Sequence, residues 1–181
     1  MAAEGLAGAV DVFCERIAFT PAQTERVFVA AREHGLRVKL HAEQLSDSKG
    51  AALAARYGAL SADHLEASGP AEIEALARSE VVATALPGAS IGLGCGFTPA
   101  RTLLDAGGCL AIASDYNPGS APMGDLLTQA SLLGTFEKLT NSEVLAGITF
   151  RGAKALGLED RGRLLPGMKG DLTVFPADHF N

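Results

Sequence analysis

The chain has 181 residues, of which 48% are hydrophobic and 20% charged, as is typical of a globular domain with a buried core. Its formal net charge of -6 and its lack of any basic run argue against a nucleic-acid partner, because affinity for a phosphate backbone comes from clustered lysine and arginine. No transmembrane run, signal peptide or CxxC spacing is evident, so we expect no membrane association and a cytoplasmic location.

The first predicted units alternate short apolar strands with helices. A strand over 10–13 is followed by a helix that begins after Thr20 and stops at Gly35, since threonine caps a helix N-terminus and glycine favours its end. Residues 37–43 form the next predicted strand, and a helix follows around 50–58.

The same alternation continues through the rest of the chain. Predicted strands cover 59–66, 81–88 and 109–116, and predicted helices cover 70–79, 98–108, 124–139 and 141–158. The strands are almost continuously apolar, as expected of a parallel sheet whose two faces are both covered. The glycine-rich stretch GASIGLGCGF lacks the spacing of a nucleotide-binding loop and is assigned no helix or strand.

A polar or special residue recurs where each predicted strand ends, at Glu15, His41, His64, Gly88 and Asp115. An open doubly wound sheet shows the same strand–helix alternation, but its chemistry concentrates at one switch point. Functional residues at the ends of successive strands favour a (β/α) barrel, whose rim carries the active site. Because a complete barrel needs about 250 residues, the sequence predicts about five βα units of one.

The tail departs from this repeat and sets the predicted domain boundary. Residues 161–181 contain a Pro-Gly turn and a short predicted strand over 171–175, with no helix after it. We therefore expect a part-barrel over 1–160 and a separate small β element over 161–181.

Three of the strand-end residues are candidates for chemistry, and each has a structural alternative. His41 is either a metal ligand or a buried, hydrogen-bonded imidazole. Asp115 is either a buried carboxylate on a metal or the organiser, with Asn117, of the turn sequence that follows. His64 is either a general acid/base or carbonyl-polarising group, or a structural histidine beside acidic neighbours. Their shared position at the rim favours function.

Three more polar residues near the strand ends stay open between two interpretations. Glu43 and Gln44 follow His41 directly, and either reach a substrate or belong to a surface loop. Glu15 either joins the site or forms an ion pair that supports the neighbouring loop.

The motifs VDVFCE, KLHAEQLS, SADHLE, ALPGA and SDYNPGSAP, in this order, resemble the C-terminal half of the imidazolonepropionases, a family of amidohydrolases of histidine degradation. The resemblance continues through LTNSEVLAGITFRGAKALGLEDRGRLLPGMKGDLTVF. It implies an α/β fold, with the C-terminal part of a TIM-type (β/α)8 metal-hydrolase barrel over 1–160 and the start of a returning β-sandwich over 161–181. It also implies hydrolysis of the cyclic amide C–N bond of 4-imidazolone-5-propanoate, a small-molecule substrate, to N-formimidoyl-L-glutamate.

The same resemblance implies roles for individual residues. His41 and Asp115 match ligands of one divalent zinc or iron ion, and Asp115 also matches the group that handles the proton of the attacking water. His64 matches a catalytic group that polarises the reacting centre, and Gln44 a catalytic, substrate-contacting position. Asn117 and Gly119 match the loop that holds the substrate.

The ligand set implied by the resemblance is incomplete in this chain. The family takes two more metal ligands from a His-x-His pair, whereas the histidines here are His34, His41, His64 and His179, with no such pair. We therefore expect the isolated chain to be inactive and to associate with a missing N-terminal half or with further copies of itself. A non-catalytic, self-associating half-barrel and an open α/β binding domain are the alternatives.

Overall fold

Five parallel strands, each followed by one or more helices, form the framework of the chain. The computed structural model describes residues 1–176. The strands are β1 (Ala9–Cys14), β2 (Arg37–Ala42), β3 (Ser61–His64), β4 (Val82–Ala85) and β5 (Cys109–Ile112). The helices are α1 (Pro21–Glu33), α2 (Gly50–Tyr57), α3 (Pro70–Ala77), α4 (Pro87–Leu93), α5 (Ala100–Asp105), α6 (Leu126–Phe136), α7 (Asn141–Ile148) and α8 (Phe150–Ala155).

The order of the strands distinguishes between the two architectures that the alternation allows. Neighbouring strands pair in parallel, and within residues 1–176 they lie side by side in sequence order from β1 to β5. A doubly wound sheet reverses its order at a switch point, whereas consecutive strands of a (β/α) barrel do not. The predicted series of five βα units is therefore confirmed.

The first helix begins and ends as its sequence predicts. Thr20 and Gln23 form a capping box, in which the hydroxyl oxygen of Thr20 accepts from the backbone N–H of Gln23 and the Gln23 side chain accepts from the backbone N–H of Thr20. At the other end, Gly35 has a φ of 69°, which glycine adopts without steric cost. These signals place α1 between β1 and β2.

The two faces of the sheet differ in how they are covered. On the outer face, Val12 of β1 and Leu40 of β2 pack with Phe28 of α1 in the main hydrophobic core. On the inner face, which would line the inside of a barrel, the side chains of Asp11 and His41 remain 39% and 34% exposed. The inner face is therefore open at β1 and β2.

The helix predicted over 141–158 is two helices, and the second covers the inner face at the other end of the sheet. Thr149 leaves the helical conformation, with φ −120° and ψ −104°, and separates α7 from α8. Ala155 of α8 then packs against Val82 and Ala111, whose side chains lie on the face opposite the main core. The sequence showed a continuous helical pattern and no proline here, so the break was not predictable from local signals.

Helix α4 lies in the glycine-rich stretch to which no element was assigned. Glycine lowers helix propensity by about 1 kcal/mol relative to alanine, and this segment contains two glycines, Gly88 and Gly92. A Cβ atom on Gly92 would overlap the backbone carbonyl of Ser120. Close approach of the loop after β5, rather than flexibility, therefore requires glycine at this position.

The short strand predicted over 171–175 is not formed in the described part of the tail. Leu172 and Val174 are 63% and 82% exposed, and no strand lies between residues 161 and 176. A β-strand is stabilised by pairing with a neighbour, and no residue between 161 and 176 pairs with a strand. The strand expected over 171–175 was therefore wrong, whereas the division at 160/161 stays a prediction, and residues 177–181 lie outside the described structure.

The helices of this fold are short. The longest, α1, has 13 residues, whereas a membrane span needs about 20. Within the described residues, no helix combines the length and the apolar character that crossing a membrane requires.

Candidate active site

Three of the predicted site residues converge at the C-terminal edge of the sheet. His41 lies in β2, His64 ends β3, and Asp115 follows β5. One potential ligand atom from each lies within 4.8 Å of those of the other two, and the two imidazole ring centroids are 5.3 Å apart. Two imidazole nitrogens and a carboxylate oxygen are donors that suit zinc or ferrous iron. The structure thus places at one rim the three side chains that the sequence scatters over 75 positions, and their donor set fits a divalent metal.

Backbone strain concentrates at this same rim. His64, Leu65 and Asp115 have φ values of 81°, 69° and 51°, and Glu43, two residues past His41, has 47°. Non-glycine residues rarely adopt this left-handed conformation, which costs on the order of 1–3 kcal/mol each. Strain at the ends of three strands is a feature of sites where side-chain direction matters more than stability.

His41 has an acidic neighbour that the sequence analysis did not single out. The Oδ2 atom of Asp11, in β1, lies 2.9 Å from Nδ1 of His41, although the ring N–H is not aligned on that oxygen as in a formed hydrogen bond. The contact raises the pKa of His41 and outweighs the opposite effect of burial. A lone carboxylate in the apolar strand AVDVFC was the available signal.

A second acidic residue on the inner face lies close to the same histidine. Asp63 is paired with His41 across β2 and β3, and Asp11, His41 and Asp63 have ligand atoms within 4.8 Å of one another. One Asp63 oxygen, Oδ2, lies 3.3 Å from Nζ of Lys39. Asp63 therefore belongs to a charged layer below the rim and not to the surroundings of His64, its neighbour in sequence.

His64 is enclosed, with 1% of its surface exposed. Its Nδ1 lies 3.7 Å from Oε1 of Glu66, and its backbone carbonyl accepts a hydrogen bond from the hydroxyl of Thr98. Of the two acidic neighbours in the sequence, Glu66 is thus the one beside the imidazole.

Gln44 and Glu43 adopt different roles at the end of β2. Gln44 is 9% exposed, and its side-chain amide forms no hydrogen bond within residues 1–176. Glu43 is fully buried, and its carboxylate accepts from the backbone N–H groups of Gly50 at 2.5 Å and Ala51 at 3.1 Å, at the start of α2. Burial raises the pKa of Glu43 and these hydrogen bonds partly offset the effect. Glu43 is therefore a support of α2, and Gln44 keeps an amide available at the rim.

Glu15 supports the loop that carries Gln44. Its carboxylate accepts from the backbone N–H groups of Arg16 at 2.7 Å, Leu45 at 2.8 Å and Ser46 at 3.1 Å, and from the Ser46 hydroxyl. Burial acts to raise the pKa of Glu15, but the hydrogen bonds outweigh it and hold the pKa below its usual range. Of the two interpretations of Glu15, loop support fits, through backbone N–H groups instead of an ion pair.

Asn117 and Gly119 shape the loop that presents Asp115. The Asn117 amide oxygen accepts from the backbone N–H groups of Gly119 and Ser120, both at 2.8 Å, and its nitrogen donates to the Asp115 carbonyl at 2.6 Å. The amide of Asn117 is thus engaged within the loop. Contact of Asn117 and Gly119 with a substrate stays a prediction.

Comparisons with known proteins agree with this architecture and with the sequence motifs. Residues 5–181 match the model of the amidohydrolase family. An imidazolonepropionase from Paracoccus denitrificans is 53% identical over 178 residues, which cover 98% of this chain and 44% of the relative. One from Deinococcus radiodurans is 50% identical over 174 residues, 96% of this chain and 44% of the relative. The chain thus spans less than half the length of these curated relatives, and the predicted resemblance is confirmed.

Two solved structures share the fold. An adenosine deaminase from Xanthomonas campestris with bound zinc superposes with a TM-score of 0.77 at 25% identity, over 90% of this chain and 42% of that protein. An atrazine chlorohydrolase from Arthrobacter aurescens TC1, complexed with zinc and atraton, gives a TM-score of 0.69 at 20% identity, over 87% of this chain and 40% of that protein. The described strands and helices therefore correspond to part of a larger fold.

Proposed function

Because the chain belongs to the amidohydrolase family, we propose that it supplies part of an imidazolonepropionase active site. The reaction is hydrolysis of the cyclic amide C–N bond of 4-imidazolone-5-propanoate to N-formimidoyl-L-glutamate. The observation that carries the proposal is the convergence of His41, His64 and Asp115 at one strained rim, in a chain 53% identical to such an enzyme. We place the activity in the cytoplasm, in keeping with three cysteines that are all unpaired.

A divalent zinc or iron ion fits the donor groups at the rim. His41 and Asp115 would hold it, and the position of His64 allows it to contribute as a further donor or to face the substrate. When bound, such an ion lowers the pKa of a water molecule to about 7. The charged layer of Asp11 and Asp63 beneath His41 adds negative potential that favours a cation there.

The side chains at the rim divide the remaining work. Asp115 accepts the proton of the attacking water and returns it to the leaving ring nitrogen as the C–N bond breaks. His64 faces the amide carbonyl of the substrate and stabilises the negative charge that develops on the carbonyl oxygen. Gln44, with an unengaged amide at the rim, orients the substrate.

The open inner face supports a proposal for how the chain completes its site. Asp11, Lys39 and His41 line a surface that stays 23–39% exposed at β1 and β2. A catalytic zinc normally has three protein ligands in a closed cavity that also controls water. We propose that the N-terminal half of an imidazolonepropionase covers this surface and supplies the remaining ligands and substrate contacts.

A complementation assay tests the proposal. The N-terminal part of the Paracoccus denitrificans relative is co-expressed with this chain, and turnover of 4-imidazolone-5-propanoate and metal content are measured on the purified complex. We expect activity for the complex and none for the chain alone. Asp115→Asn abolishes the activity, whereas the matched change Asp105→Asn, on an exposed side chain of α5, leaves it intact. Full turnover by the chain alone, or an inactive but stable complex with bound metal, would contradict the proposal.

The second candidate is a non-catalytic half-barrel that associates with itself. The observation in its favour is that β1 and β5 each pair on one side only within the described residues, so both edges of the sheet are open. Light scattering of the purified chain distinguishes the candidates, because a stable dimer that excludes the N-terminal half supports self-association.

A further inference from the structure

Glu66 is a buried carboxylate at the site to which no role has yet been assigned. Its side chain is 3% exposed and that of His64 is 2% exposed. Nδ1 of His64 and Oε2 of Glu66 are both buried, and neither has a hydrogen-bond partner in the part of the chain that the structure describes. Two unpartnered polar atoms on adjacent buried side chains are unusual, since groups removed from water normally find a partner.

The two side chains lie just beyond hydrogen-bonding distance of each other. Nδ1 of His64 lies 3.7 Å from Oε1 of Glu66, less than 1 Å beyond a normal N–H···O distance. An ionised carboxylate offers acceptors only, so the imidazole nitrogen that faces it must carry the proton.

Both partners are held in place from neighbouring elements. The hydroxyl of Ser90, in α4, donates to Oε1 of Glu66 at 2.8 Å. The hydroxyl of Thr98 donates to the backbone carbonyl of His64. Oε1 of Glu66 thus accepts from Ser90 and is also the oxygen that lies towards Nδ1 of His64, and a carboxylate oxygen can accept from two donors.

We propose that Glu66 is a positioning residue that fixes the ring of His64 and keeps a proton on Nδ1, so that Nε2 is the nitrogen presented to the reacting group. What Nε2 then does rests on the proposed function, but the placement of the proton does not. Whenever Nε2 also carries a proton, the same carboxylate stabilises the ring that donates to the oxyanion. Helix α4 thereby contributes to the site through Ser90.

The tautomer of His64 tests this directly, without metal or substrate. Long-range 1H–15N spectra of the 15N-labelled chain are recorded at a pH where imidazole is neutral, and His64→Asn identifies the signals. We expect the Nδ1–H tautomer at His64 in the unmodified chain, and a mixed or Nε2–H population in Glu66→Gln, with partial recovery in Glu66→Asp. Glu74→Gln, an exposed change on α3, leaves the spectrum unchanged.

Two outcomes overturn the proposal: an Nε2–H tautomer in the unmodified chain, or an unchanged Nδ1–H tautomer in folded Glu66→Gln. The first outcome is measured on the unmodified chain, so it tests the proposal even if Glu66→Gln fails to fold. In the complemented enzyme, Glu66→Gln is expected to lower kcat about 10–100-fold with a smaller change in KM. Failure of complementation would overturn the proposed function and leave the tautomer result standing.

Discussion

Oδ2 of Asp11 lies 2.9 Å from Nδ1 of His41, across the two neighbouring strands β1 and β2. The register pairs Asp11 with Lys39, so the carboxylate reaches diagonally to the histidine two residues further along β2. The contact places a carboxylate beside a proposed metal ligand, as is common at metal-bound histidines.

Replacing that carboxylate should change the titration of His41. The Asp11 contact raises the His41 pKa above 6.5, so Asp11→Asn should lower it, as NMR titration of the imidazole will show. The sign for stability follows: a raised folded-state pKa stabilises the fold fully below pH 6.5, and this contribution is lost as the pH rises through the raised pKa. An unchanged His41 pKa in Asp11→Asn would show that the contact does not persist in solution. Asp105→Asn is the control.

Removal of the Glu43 carboxylate should weaken the start of α2. In Glu43→Ala, the backbone N–H groups of Gly50 and Ala51 lose their acceptor in a buried environment, which costs about 1–3 kcal/mol of unfolding free energy. Urea denaturation measures the loss. Glu74→Ala, at an exposed position, should change stability by about 0.5 kcal/mol or less. Equal effects of the two changes would contradict the support role of Glu43.

Glu15 should make the fold sensitive to acid. Its folded-state pKa lies below the usual 4.5, so its stabilising effect is present above pH 4.5 and is lost as the pH falls through the lowered pKa. Glu15→Gln should be less stable at neutral pH and should lose less stability on acidification. Urea midpoints from neutral pH downward compare the two proteins. Parallel pH profiles would rule out this role.

Gly92 should tolerate no side chain. Gly92→Ala forces α4 away from the carbonyl of Ser120, with an expected cost of about 1–3 kcal/mol for overpacking and a displaced loop after β5. Thermal denaturation measures the loss of stability, and turnover in the complementation assay shows whether the displaced loop disturbs Asp115. Gly96→Ala is the matched control, because no atom lies within 4 Å of a Cβ there. A stable and fully active Gly92→Ala would refute the close-approach argument.

Much of the fold was predictable because parallel strands and capped helices leave local signals. Apolar runs located the five strands, and Thr20 and Gly35 marked the ends of α1. Helix α4 was not predicted because its two glycines disfavour a helix locally, and the close approach of Ser120 that requires Gly92 comes from a distant part of the chain. The strand predicted over 171–175 was wrong because an apolar pattern does not show whether a neighbouring strand pairs with the segment, and none does.

The convergence of the three candidate site residues was predictable, but their individual contacts were not. Spacing along the sequence indicated which residues end the strands, and His41, His64 and Asp115 do meet. It could not show that Asp11 reaches His41 or that Glu66, and not Asp63, faces His64. Those pairings depend on strand register and on left-handed backbone at His64 and Leu65, which no local pattern specifies.

The two open edges of the sheet also limit the number and direction of the strands that a partner can supply. Strands β1 and β5 point the same way, so a ring closes only through strands that run parallel to both. Two copies joined edge to edge would make a ten-stranded ring, whereas barrels of this type close at about eight strands. A partner with three parallel strands would complete a barrel of eight in both number and direction. Strand number therefore favours such a partner over a second copy of this chain for closing the barrel.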